Sequence, residues 1–437
     1  MSNIHEEVKA LEKELVETRR FFHSHPETGW LTFFTTATII DKLKKLGYDL
    51  KMADEIVSVQ HQLGLGNKEQ IEQAKKRAKN LLNDDLHHLV DEMKDGLTGV
   101  VASIDTNIEG PTTAFRFDID GVDVTESKDD THIPFKEGFS SDIEGITHAC
   151  GHDGHATIGL GLAKLISENK DKFKGKFVFI FQPGEEGCRG AVGMEPTGIL
   201  NDVDYLIGAH IGFQAKENKG IICGINKFLS TSKFDVYFTG KSAHAAGAPQ
   251  EGCNALLAAS EAAIQMHAIT RHADGVTRIN VGVLKAGEGR NVIAPNAFMA
   301  CETRGVTTEL NDFMKQKCID ILDGVSKIHS VEYELVETGG TAGGDSSKEI
   351  TKLFKEAALE SPYIEDDLIV EEFDFGACED FAHFMRTVQK NGGQSGYAMI
   401  GTNLAAGHHN KSFDFDENCL VSGLDIFYRL AFKLNKK

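Results

Sequence analysis

Between residues 99 and 211 the chain runs in short apolar stretches, GVVASID, TTAFRFD, KFVFIFQP and YLIGAH, separated by glycine and acidic residues. Each has the length and composition of a buried strand, and an amphipathic stretch, HATIGLGLAKLISEN, lies between the second and third. Strands alternating with helices imply an α/β fold built on a twisted, mostly parallel sheet covered by helices. In such sheets ligands bind outside the carboxyl ends of the strands, so the residues that follow each apolar run are where chemistry is expected.

Those residues are selectively polar. Asp118 and Asp120 follow TTAFRF, Glu185 and Glu186 follow KFVFIFQPG, and His210 follows YLIGA. Residues 147–155, THACGHDGH, hold three of the chain's 18 histidines with one cysteine and one aspartate. Thiolate, imidazole and carboxylate bind zinc or manganese, and Cys150 and His152 flank a glycine that lets both face one ion. His408 and His409 follow a further apolar run, SGYAMIG. Any one of these could be an ordinary loop residue; their convergence on one sheet edge points to a metal centre. Cys150, His152, Glu186, His210 and one of the final histidine pair exceed what one tetrahedral ion takes, which implies two ions sharing a ligand, with Cys150 the expected bridge. Glu185 is then the base that is not itself a ligand. Asp153 reads as a residue that orients an imidazole from behind, and His148 and His155 as shaping the loop and the first turn of the next helix.

A chain of 437 residues exceeds one ordinary core, so two domains are expected. From about residue 230 the order β-α-β-β-α-β is the ferredoxin-like arrangement, an inserted α+β lid or dimerisation module. The expected division is a catalytic domain over 1–226 with a helical insertion at 55–96, the inserted domain over 227–338, and a return to the catalytic domain over 339–437. TGGTAGGDSSKE lacks the lysine of a phosphate loop, since Asp345 follows Gly344, and reads as a hinge. A net charge of −20 disfavours nucleic-acid and anionic-membrane partners, and no apolar run is long enough to span a bilayer. The first twenty residues form a charged amphipathic helix without the apolar core of a signal peptide, and the eight cysteines are scattered, so a cytoplasmic location with reduced thiols is expected.

The ordered set HACGHDGH, FQPGEEG, GAH, KSAHAAGAP, GRNVIAPNA, ETRG and GHHNKSFDFDE resembles the amidohydrolase branch of the two-metal aminoacylase and carboxypeptidase family, over nearly the whole chain. Within the branch it is most similar to the A-type subunits that hydrolyse p-aminobenzoyl-glutamate, with Asp123 in FRFDIDGVDVTES where most relatives have proline and a similar helical insertion. Gly121-Val122 and Gly184 depart from the usual Ala-Leu and Ala. The resemblance implies metal ligands Cys150, His152, Glu186, His210 and His409, the last chosen over His408 because it stands four residues before Phe413. It implies Glu185 as base, His244 reaching a partner protomer's site to stabilise the oxyanion, and Asn291 and Arg304 as substrate contacts. It further implies two divalent ions, manganese or zinc, and cleavage of an N-acyl amino acid, p-aminobenzoyl-glutamate foremost, hippurate-like conjugates or dipeptides otherwise. The implied assembly is a homodimer, or a pairing with a related B-type subunit that activity requires. A noncatalytic subunit is disfavoured because every expected ligand and the base are present.

Overall fold

A computed structural model describes residues 4–437, which form two compact units. One comprises the chain through Asn226 with Asp345–Phe375 and His383–Lys437; the other comprises Lys227–Gly344 and Gly376–Ala382. The strands of the described residues are β1 Asp49–Met52, β2 Val100–Asp105, β3 Thr112–Asp118, β4 Lys176–Gln182, β5 Tyr205–Ile211, β6 Ile221–Asn226, β7 Ser230–Thr239, β8 Thr277–Ala286, β9 Asn296–Gly305, β10 Glu332–Thr341, β11 Ile369–Asp374 and β12 Gln394–Ile400.

The first unit is built on an eight-stranded sheet in the order β1-β2-β4-β3-β5-β12-β6-β11. Its centre, β4-β3-β5-β12, is parallel throughout, with Asp118 beside Gln182 and His210 beside Met399, so these strands end at one edge. β1, β2 and the β12–β6 contact are antiparallel. Phe115, Phe117, Phe179 and Phe181 are buried, and Phe427 of the last helix, Asn418–Asn435, meets Phe117 at 5.3 Å between ring centroids. Burying each such ring contributes about 1.5–3 kcal/mol, which makes this aromatic layer the floor on which the sheet edge rests.

Three strands carry no clear sequence signal. β1 is four residues long, β6 has its apolar run interrupted by Gly224, and β11 is an edge strand whose Val370, Glu371 and Glu372 are exposed. Charge on an edge strand suppresses pairing with other chains and at the same time hides the period-2 pattern. In the 55–96 segment the helices Lys68–Leu81 and His87–Glu92 pack together, the first closed by an Asn67–Gln70 capping box. The expected first helix is split into Ile4–Lys9 and Glu12–Ser24, and its first three residues lie outside the described residues.

In the second unit the four-stranded sheet has the order β10-β7-β9-β8, antiparallel throughout, with helices Ala255–His267 and Thr308–His329. That is the ferredoxin-like order. The glycine run expected as a hinge is in part strand: Gly339 and Gly340 pair with Lys233 and Ser232 after a bulge, so β10 continues to Thr341.

Candidate metal centre

Helix His152–Glu168 starts directly at the THACGHDGH run. Gly151 stands before it at φ +88°, a left-handed conformation that a side chain would strain, and this turn presents Cys150 and His152 on either side of one point. Cys150 Sγ lies 3.5 Å from His210 Nε2 at the end of β5. His210 Nδ1 donates to the Ile211 carbonyl at 2.8 Å, which leaves Nε2 as the lone-pair nitrogen facing the thiol. Cys150, His152 and His210 bring their ligand atoms within 4.8 Å of one another, and all three are buried. A second group, Cys150, Glu186 and His409, meets the same distance, with His409 Nε2 3.1 Å from Glu186 Oε1. Cys150 belongs to both.

The donor set fits divalent cations. Both ring nitrogens of His152 are buried without a hydrogen-bond partner, an orphaned pair that folding would not favour unless something else met it. Burial opposes charge on this imidazole, yet Asp118, Asp120 and Glu186 together raise its pKa to about 10. The carboxylates around this ring therefore favour positive charge, which a divalent ion can supply in place of a proton. Burial, with Glu186, Glu185 and Asp118, pushes the Cys150 thiol well up, while burial and His155 drive His210 well down, leaving that imidazole neutral as a ligand must be.

The structure separates residues that look alike in the sequence. His155 is not a bland residue of the first helical turn: its Nδ1 donates to Asp118, and its Nε2 accepts from the Ile211 amide at 2.9 Å, so neither nitrogen is available to an ion. Asp118 is further held by Arg116. His148 is buried with neither nitrogen partnered, and burial takes its pKa to about 3. Asp153 orients an imidazole, but that of His23, at 2.8 Å, rather than a ring in the candidate ligand set. His408 stacks on Phe213 at 4.0 Å and turns Nε2 to the Ile211 carbonyl, away from the role open to His409.

Glu185 Oε2 is 3.9 Å from His152 Nε2, and the two carboxylates of the Glu185–Glu186 pair are set by their backbone. Asp120 accepts the Glu185 amide on one oxygen and the Glu186 amide on the other, at 3.0 and 3.1 Å. This bracing role was not legible in the sequence, where Asp120 is one acidic residue after a strand. Gly184, where the resembling family has alanine, sits at φ +69° and lets the chain turn sharply into the pair.

The remaining expected residues lie in the second unit. His244 and Asn291 are neighbours there: the Ala245 amide donates to the Asn291 carbonyl at 3.0 Å, and His244 Nδ1 accepts the amides of Ala246 and Gly247. Arg304, on β9, forms a two-point pair with Glu302 of the same strand at 2.7 and 3.1 Å.

Residues 114–433 match the model of peptidase family M20/M25/M40. A Haemophilus influenzae homolog of the A-type subunit of p-aminobenzoyl-glutamate hydrolase is 42% identical over 96% of this chain and 98% of its own. The indole-3-acetyl-aspartic acid hydrolase of Enterobacter agglomerans is 38% identical over 97% of each. Among solved structures, the aminobenzoyl-glutamate utilization protein from Klebsiella pneumoniae aligns with a TM-score of 0.84 at 32% identity, covering 99% of this chain and 98% of that one.

Proposed function

The chain belongs to peptidase family M20/M25/M40, and from that premise we propose that it hydrolyses the amide of an N-acyl amino acid, p-aminobenzoyl-glutamate to p-aminobenzoate and glutamate, at the edge of the large sheet. The observation that carries the reading is the junction of two three-residue groups at Cys150, with Glu185 beside His152 and outside both. In this reading Cys150, His152, Glu186, His210 and His409 hold two divalent ions. Thiolate and imidazole suit zinc, and the carboxylate tolerates manganese. When bound, the ions lower the pKa of water and polarise the scissile carbonyl.

The chain's own residues supply the rest. Glu185 takes a proton from the attacking water and delivers it to the leaving amine nitrogen. Asp120 holds the Glu185 and Glu186 backbones, so that one carboxylate is committed to metal and its neighbour to proton transfer. His244 reaches the site of a partner protomer and donates to the developing oxyanion there, and Asn291 and Arg304 are the contacts for the amino-acid portion, Arg304 exchanging Glu302 for the substrate carboxylate. A homodimer, or a dimer with a B-type partner, is favoured by the second unit: β8 is an edge strand with Val283 and Leu284 exposed, and Leu257 and Ile264 are exposed on its helix. No helix among the described residues is long and apolar enough to cross a membrane, and the scattered unpaired cysteines favour the cytoplasm.

The test is metal analysis of the purified chain with an assay of p-aminobenzoate release, with and without a B-type partner. Release that depends on added zinc or manganese is expected; no release under any metal or partner would overturn the assignment. The 38% identical relative named for an indoleacetyl-aspartate supports a second reading, a different aryl-acyl group on an acidic amino acid. Ranking kcat/KM across p-aminobenzoyl, benzoyl, indoleacetyl and acetyl conjugates of glutamate and aspartate separates the two.

A further inference from the structure

The guanidinium of Arg19 is wholly buried, and none of its acidic partners lies on its own helix. Nε donates to Asp153 at 2.8 Å, beside His152. One terminal nitrogen donates to Asp414 at 2.7 Å, and the other reaches Glu417 at 3.4 Å. The group also lies over the Phe415 ring at 4.3 Å. Asp414 and Glu417 belong to the loop between β12 and the last helix, the loop that carries His409. His409 has φ +62°, an unfavourable conformation for a non-glycine residue, and its amide donates to the Ala149 carbonyl next to Cys150. Such a conformation persists only where the surroundings impose it.

We infer that Arg19 is a positioning residue for the metal centre: it fastens the His409 loop to the start of the His152 helix and thereby sets the affinity of the Cys150–Glu186–His409 group for its ion. This inference rests on the two-metal reading. The asymmetry between the groups supports it. Cys150, His152 and His210 are buried in the sheet edge and the helix start, whereas the His409 side chain is 53% exposed and depends on how its loop is held. Only a planar guanidinium can reach three separate carboxylates in fixed directions; a lysine ammonium would satisfy fewer of them.

The experiment loads the full chain with zinc and withdraws the metal with a chromophoric chelator, while near-UV circular dichroism monitors the fold. Asp414→Asn removes the charge from the shorter arm to the loop, at 2.7 Å, and keeps the Arg19–Asp153 pair and the longer reach to Glu417; Arg19→Lys is the companion variant. The parent is expected to release two ions in two steps. Asp414→Asn should weaken one step by about 10–100-fold and leave the other within about twofold, and Arg19→Lys should weaken the same step in the same direction. Folded variants whose two steps match the parent, or move together, would overturn the positioning role. A parent that binds no ion would instead remove the two-metal reading on which it rests.

Discussion

Cys150, His152 and His210 lie at the buried start of a helix and the end of a central strand, whereas Glu186 and His409, which share Cys150, are carried on segments that reach solvent. The first group inherits its geometry from packing: strand register fixes His210, the helix start fixes His152, and both would be present whatever occupied the site. The second depends on a few polar braces. Asp120 holds the Glu186 backbone, and Arg19 holds the loop of His409 through Asp414. One half of the centre is therefore a by-product of the fold, and the other is maintained by specific hydrogen bonds.

The largest expected effect concerns the residue that belongs to neither group. Glu185→Gln should lower kcat by ~10²–10⁴-fold with metal content unchanged, because a general base contributes on that scale and the amide keeps the side chain's shape. Steady-state kinetics with metal analysis of the same sample decides it. Loss of an ion along with activity would make Glu185 a ligand and erase the division of labour between the two glutamates. Next in size, His409→Ala should release one ion per chain while leaving the other bound, whereas His152→Ala should disturb the buried group and lower thermal stability as well. Equal loss of both ions from the two variants would show the halves to be one coupled site.

The legibility of the molecule followed the same division. The central strands of the first unit and the ferredoxin-like order of the second were readable because burial imposes an apolar pattern on consecutive residues. The candidate ligands were readable because histidine, cysteine and glutamate clustered at strand ends. What escaped was pairwise and long-range. Arg19 and Asp414 are 395 residues apart, and RRFFHSHPE reads locally as nothing more than a helix and its stop. Edge strand β11 escaped because exposed acidic residues erased its alternation. His155 was undervalued because it sits on a helix while its partners, Asp118 and the Ile211 amide, come from two separate strands.

A smaller effect tests the brace on the glutamates. Asp120→Asn can still accept one of the two backbone amides, but its NH2 group opposes the other. Affinity for one ion should fall toward the lower end of the ~10–100-fold range of supporting residues, with kcat reduced through a displaced Glu185. Calorimetric zinc titration of the metal-free variant measures it, and an unchanged isotherm would assign the brace no role beyond packing.

The effect furthest from the chemistry, and the only one expected to leave turnover untouched, lies one step further back. Glu27 is buried, and its carboxylate accepts the amides of Phe34 and Thr35 at the start of helix Phe33–Lys45, while its carbonyl accepts the Gly121 amide next to Asp120. Burial raises its pKa to about 7, with the two amide hydrogen bonds opposing the rise. A carboxyl group whose folded pKa lies above its unfolded value stabilises the fold fully below the unfolded value, and that stabilisation is lost as pH rises through the folded one. Between about pH 4.5 and 7 Glu27 should thus lower stability with rising pH, by at most about 1.4 kcal/mol per pH unit for one proton. Glu27→Gln removes the titration, so urea midpoints of the variant should gain on those of the parent across that window and run parallel to them above it. Parallel curves throughout would mean that the helix terminus, whose partial positive charge favours the anion, cancels the effect of burial at this carboxylate.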